Sequence, residues 1–168
     1  MFRTVRDAAP AVLVPLAWLV VDAAHRGLVG TDAVFVAHLV MAAFVAVFAI
    51  TGWSAMGRGA LRAWRAVLVA GLGVTLAGIA GFRLSSEPLL TVSVVGWMVL
   101  PTAGLAYTGR AFPAARLPYY VSAALSGLGA VVYVTTLVRS GLLPSSVGIA
   151  LVGVGQTIGM VDAVLRSR

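Results

Sequence analysis

Six stretches of about 20 apolar residues, at 10–29, 33–53, 65–83, 89–108, 118–138 and 145–165, make up most of this 168-residue chain. Each has the length a helix needs to cross a hydrocarbon core of ~30 Å at a rise of ~1.5 Å per residue. None carries a clean amphipathic stripe, which suits a helix whose surroundings are apolar on every side. The alternating segments of ~10 residues that build a transmembrane barrel do not occur. The expected fold class is therefore all-α: a polytopic membrane helix bundle of six transmembrane helices, arranged as three hairpins in a single domain over 1–168.

Charge supports the same reading. Charged residues are 10% of the chain and mean hydropathy is +1.03. A water-soluble domain carries about 25% charged residues, because its surface must be hydrated. There is no Cys and no Lys. Disulfides, thiol chemistry and Cys-based metal sites are excluded, as are a Schiff-base lysine and a P-loop lysine. Arg as every basic residue besides His, with abundant Ala, Gly and Val, suggests a GC-rich genome; the general likeness to small six-span proteins common in prokaryotes makes a prokaryotic source the expectation.

A net charge of +7 would suggest nucleic acid in a soluble protein. Here the arginines lie in breaks between apolar runs. The expected partner is a lipid bilayer with anionic headgroups at the cytoplasmic face, and no nucleic acid. Arg3, Arg6, Arg58, Arg62, Arg65, Arg110, Arg116, Arg166 and Arg168 collect on one side, Arg26, Arg83 and Arg139 on the other. This bias predicts a cytoplasmic-membrane protein with both termini inside. Trp53, Trp64, Tyr107, Phe112, Tyr119 and Tyr120 fall at the predicted cytoplasmic interface. The N-terminal run also resembles a signal peptide with cleavage after Ala23, but its length and Asp22 favour a retained first span.

The breaks carry turn residues: Gly27 and Gly30, SSEP at 85–88, AFPAARLP at 111–118 and SGLLPSS at 140–146. Thr31, Ser86 and Ser145 are expected N-caps. The segments 71–110 and 127–166 match without gaps at Arg83/Arg139, Pro88/Pro144 and Arg110/Arg166, a likeness little above what this composition produces and one that reflects shared hairpin grammar. Small residues spaced for close helix contact predict three inward stripes: Gly73, Ala77 and Gly81; Ser122, Ser126 and Ala130; Gly155, Gly159 and Ala163. Pro15 and Pro101 predict kinks that free the carbonyls of Ala11 and Trp97 for neighbours or water.

Ionisable groups inside a membrane are rare and often functional. If the first hairpin turns around Gly30, Asp22 faces His38, and His25 shares a face with Asp22. Asp22, His25 and His38 would then converge, with the chemistry for a divalent metal, haem b or a proton relay. Structural tethering competes, because Arg26 lies four residues after Asp22, the favoured order for a helical ion pair. In the sixth span, Gln156 lies near the midplane, within reach of Thr75, Ser126 or Tyr133, and Asp162 has Arg166 at i+4. Asp22, His38, Gln156 and Asp162 are the in-membrane relay candidates.

No catalytic residue is identified, and an enzyme is the least favoured class. The preferred function is a structural or accessory membrane subunit, as a homo-oligomer or with a partner subunit, and with no cofactor. A proton- or small-solute-conducting subunit using Asp22, His38 and Asp162 is the alternative. A metal or haem site at Asp22, His25 and His38 is the second.

Overall fold

The computed structural model describes residues 2–139 and 143–166, with side chains from Pro10 onward. The Arg3 and Arg6 side chains, residues 140–142 and Arg168, used above for orientation and turns, lie outside the described part. Six α-helices run in order: α1 (Phe2–His25), α2 (Thr31–Gly52), α3 (Leu61–Leu84), α4 (Glu87–Ala111), α5 (Arg116–Val138) and α6 (Ser145–Arg166). Short 3-10 turns at Ala55–Gly57 and Pro113–Ala115 precede α3 and α5. No strand occurs among the described residues. Five of the helices, α2 to α6, are long and apolar enough to cross a membrane, while the apolar part of α1 is the shorter Pro10–His25.

The turns follow from local chemistry. Gly27 has φ +69°, and the amides of Gly27 and Leu28 bond the carbonyls of Ala24 and Ala23. This is the left-handed stop that a residue without Cβ permits at low cost. The α3–α4 turn uses the same device at Ser85, with φ 50°, and Ser86 N–H bonds the Gly81 carbonyl. Pro88, in the first turn of α4, needs no backbone donor there. The expected caps are corrected in detail. Gly30 holds the N-cap of α2, so Thr31 is one residue inside it. Ser86 does occupy the N-cap of α4, yet its hydroxyl makes no cap bond. Ser145 is already helical.

Neighbouring helices touch in the order α2–α3–α4–α5–α6–α1, and α4 also reaches α6. Two of the three expected hairpins, α3–α4 and α5–α6, are tightly packed. The first is not: α1 and α2 barely meet, because α1 lies on α6 and α2 lies on α3.

The α5–α6 seam brings backbone against backbone. A methyl placed on Gly129 would sit 2.6 Å from the Gly148 carbonyl, and one on Gly155 would sit 2.7 Å from the Ser122 carbonyl. The expected inward stripe on α5 is correct, since Ser122, Ser126 and Ala130 are all buried. On α6, Gly155 and Gly159 are buried but Ala163 is exposed. On α3 the expectation is out of register: Gly73 is exposed, and the buried face runs through Gly71, Thr75, Gly78 and Gly81.

The α3–α4 pair is joined by a reciprocal clasp. Trp97 on α4 donates its indole N–H to Thr75 on α3, and Trp64 on α3 donates to Thr108 on α4, each at 2.9 Å. Each threonine hydroxyl donates in turn to the carbonyl four residues earlier. On each helix the Trp precedes its Thr by 11 residues, about three turns, so both lie on one face. Two antiparallel helices with the same spacing satisfy each other.

Candidate functional site

The polar residues of the bundle fall into three groups. The largest is built around Gln156 of α6 and Pro101 of α4. Pro101 is buried within α4 and has no N–H, so the Trp97 carbonyl loses its helical donor. Gln156 Nε2 donates to that carbonyl at 3.0 Å, which is the rescue expected for a proline-freed carbonyl. Nε2 also reaches Ser126 Oγ at 3.3 Å. Trp18 of α1 donates its indole N–H to Gln156 Oε1 at 3.0 Å. An indole nitrogen only donates, so the amide orientation is fixed.

The remaining protons can be followed to their acceptors. Thr102 Oγ1 donates to the Met98 carbonyl at 2.6 Å. Its hydrogen being used, Ser126 must be the donor in the 2.6 Å contact between the two hydroxyls. The chain of donors therefore runs Trp18, Gln156, Ser126, Thr102 and ends on a carbonyl. Together with the Trp97–Thr75 bond it ties α1, α3, α4, α5 and α6 into one polar unit. Its donors and acceptors are paired with one another.

Of the three partners expected for Gln156, only Ser126 is used. Thr75 serves Trp97, and Tyr133 serves His25. The freed Trp97 carbonyl was expected, but the indole donors of Trp18 and Trp97 were not. A signal was available: a Trp in the middle of a span, away from the interfaces, has an N–H that must find an acceptor.

The second group is the stretch 22–38. Asp22, His25 and His38 do not converge, and no cluster of three or more potential metal ligands exists among the described residues. The physical reason is the splaying of α1 from α2. His25 accepts or donates at 2.9 Å with the Tyr133 hydroxyl of α5, while its Nδ1 donates to the Val21 carbonyl at 2.8 Å. The Val21 carbonyl only accepts, so neutral His25 carries its proton on Nδ1 and accepts from Tyr133. His38 turns to α3 and α4: it packs edge-on against Phe82, lies 3.5 Å from Ser93 Oγ, and donates to the Val34 carbonyl. Asp22 Oδ2 pairs with Arg26 Nε at 2.8 Å, the expected helical ion pair. Its other oxygen, Oδ1, is buried with no hydrogen-bond donor among the described residues.

The third group lies at the opposite end. Asp162 Oδ2 pairs with Arg166 Nε at 2.6 Å, and the Tyr119 side chain of α5 lies against the same carboxylate. Nearby on the surface, the Arg65 guanidinium stacks over the Trp53 ring at 4.6 Å. Trp53, Tyr107, Phe112 and Tyr120 are exposed there, whereas Tyr119 is buried.

Comparison of the chain with protein-family models, with curated proteins and with solved structures finds no match.

Proposed function

We propose that the chain is a six-span integral membrane protein of the cytoplasmic membrane with both termini inside, serving as a structural or accessory subunit beside a second copy or a partner membrane protein. The helix lengths, the scarcity of charge and the uneven distribution of arginine support the placement. One observation carries the role. The polar side chains at the centre of the bundle are bonded to neighbouring helices, with Gln156 joined to α1, α4 and α5 at once. Such bonds hold helices in register where lipid gives no hydrophobic drive for association. Asp22 and Asp162 are each matched by an arginine one turn away, and the closed Gln156 network separates them.

Reconstituted vesicles test the role. Proton and small-solute flux equal to that of empty vesicles is expected, with no Soret band and no stoichiometric metal. A leak abolished by Asp22→Asn or Asp162→Asn would replace this reading with a conducting subunit. The absence of native Cys makes the topology directly testable. A single Cys at Ser54 should react only with reagent inside the cell, and one at Leu28 only with reagent outside.

A further inference from the structure

We propose that a groove between α1 and α6 holds one acyl tail of a zwitterionic, amine-bearing glycerophospholipid, with its phosphate at Arg26 and its ammonium at Asp22. The inference rests on the membrane placement proposed above. The groove encloses about 420 Å³ and is walled by Pro15, Trp18 and Leu19 of α1 and by Ile149, Gly153 and Thr157 of α6. Gly153 forms its floor by packing directly on Trp18, where a Cβ would come to 3.1 Å. Its charged groups, Asp22 and Arg26, sit at one end beside Ser146. From Ser146 to Ile158 the α6 wall runs about 18 Å at 1.5 Å per residue. Half of a ~30 Å hydrocarbon core is about 15 Å, so the groove spans one leaflet from rim to midplane.

The mouth selects the headgroup by charge. Arg26 and Asp22 are paired at 2.8 Å, so the mouth has no net charge to attract a purely anionic headgroup. It presents a cation and an adjacent anion, which complement a phosphate and an adjacent ammonium. Asp22 Oδ1 is buried, so the oxygen offered at the mouth is Oδ2, which holds one Arg26 N–H and can accept a further donor. An ammonium with N–H groups donates to that oxygen beside Arg26. A trimethylated ammonium has no N–H to give.

The test uses the full chain in mild detergent, titrated with phosphatidylethanolamine, phosphatidylcholine and phosphatidylglycerol of identical tails, and read by native mass spectrometry. One phosphatidylethanolamine per chain should be retained about tenfold better than the other two, the scale of one charge-assisted hydrogen bond. Ala150→Trp, at an exposed position of the groove wall, should fill it and remove that binding. Val131→Trp, on the exposed side of α5, should leave it intact. Asp22→Asn should abolish the preference over phosphatidylcholine. Equal retention of the three lipids, or retention indifferent to both Ala150→Trp and Asp22→Asn, overturns the groove proposal and leaves the membrane placement standing. Recovery of the chain from the soluble fraction without detergent overturns the membrane placement itself.

Discussion

Helices α2 and α6 each have 22 residues and lie against the same bundle, yet they are built on opposite terms. The more apolar one is the less buried. Mean hydropathy of the apolar window is 2.6 in α2, of which 11% is buried, against 1.7 and 39% in α6. In a water-soluble protein this order would be reversed, because water drives the most apolar helix inward. In lipid, apolar side chains gain nothing by leaving the tails, so helices that carry small and polar residues take the centre. α2 turns Leu39, Val40, Phe44, Val47 and Ile50 outward and belongs to neither buried core cluster. α6 turns Gly148, Gly155, Gln156 and Gly159 inward.

The contrast can be broken most severely at the glycine seam. Gly148→Leu forces a side chain into the Tyr133 amide and the Gly129 carbonyl, where even a Cβ would lie at 2.7 and 2.8 Å. A loss of about 3 kcal/mol or more is expected, read by denaturant titration of the detergent-solubilised protein with Trp fluorescence as the signal. Next comes Gln156→Leu, which leaves the Trp18 indole and the Trp97 carbonyl without partners, at about 2 kcal/mol. Pro101→Ala sharpens the test. It returns a backbone donor to the Trp97 carbonyl, so the cost of Gln156→Leu should fall by about 1 kcal/mol in that background. No change in the double-mutant cycle would show that the carbonyl is not what Gln156 serves.

Smaller still are the two halves of the α3–α4 clasp. Thr75→Val and Thr108→Val should each cost ~0.6 kcal/mol and agree closely in the same titration, because the two contacts are geometric copies. The smallest effects belong to α2. Phe44→Ala and Val47→Ala should remain within about 0.5 kcal/mol of the parent, since their side chains face outward from the bundle. A cost comparable with that of Gln156→Leu would mean that α2 is covered by another protein surface.

Helix existence and length were legible in the sequence because crossing an apolar slab demands a long unbroken run. Which helices touch was legible only in part: α3–α4 and α5–α6 pair as expected, and α1–α2 do not. The α3 stripe was misplaced by register, since Gly71, Gly73, Ala77, Gly78 and Gly81 offer several small-residue faces and apolarity all round does not choose among them. Asp22, His25 and His38 were brought together by assuming that consecutive helices pair. Trp18 instead found Gln156, 138 residues away, and drew α1 toward the end of the chain. The freed Trp97 carbonyl was foreseeable, because a proline inside a helix always leaves one. The 11-residue spacing from Trp to Thr, present in both α3 and α4, was readable but becomes meaningful only once the two helices are known to be antiparallel neighbours.

That bond between the first and the sixth helix has a bearing on biogenesis. Pairs such as α3 with α4 find each other as soon as both have left the ribosome. α1 must wait in the bilayer, its indole unsatisfied, until α6 has been made. The Trp18–Gln156 contact is thus among the last that synthesis permits: a chain stopped before α6 lacks the acceptor for the indole of its first helix.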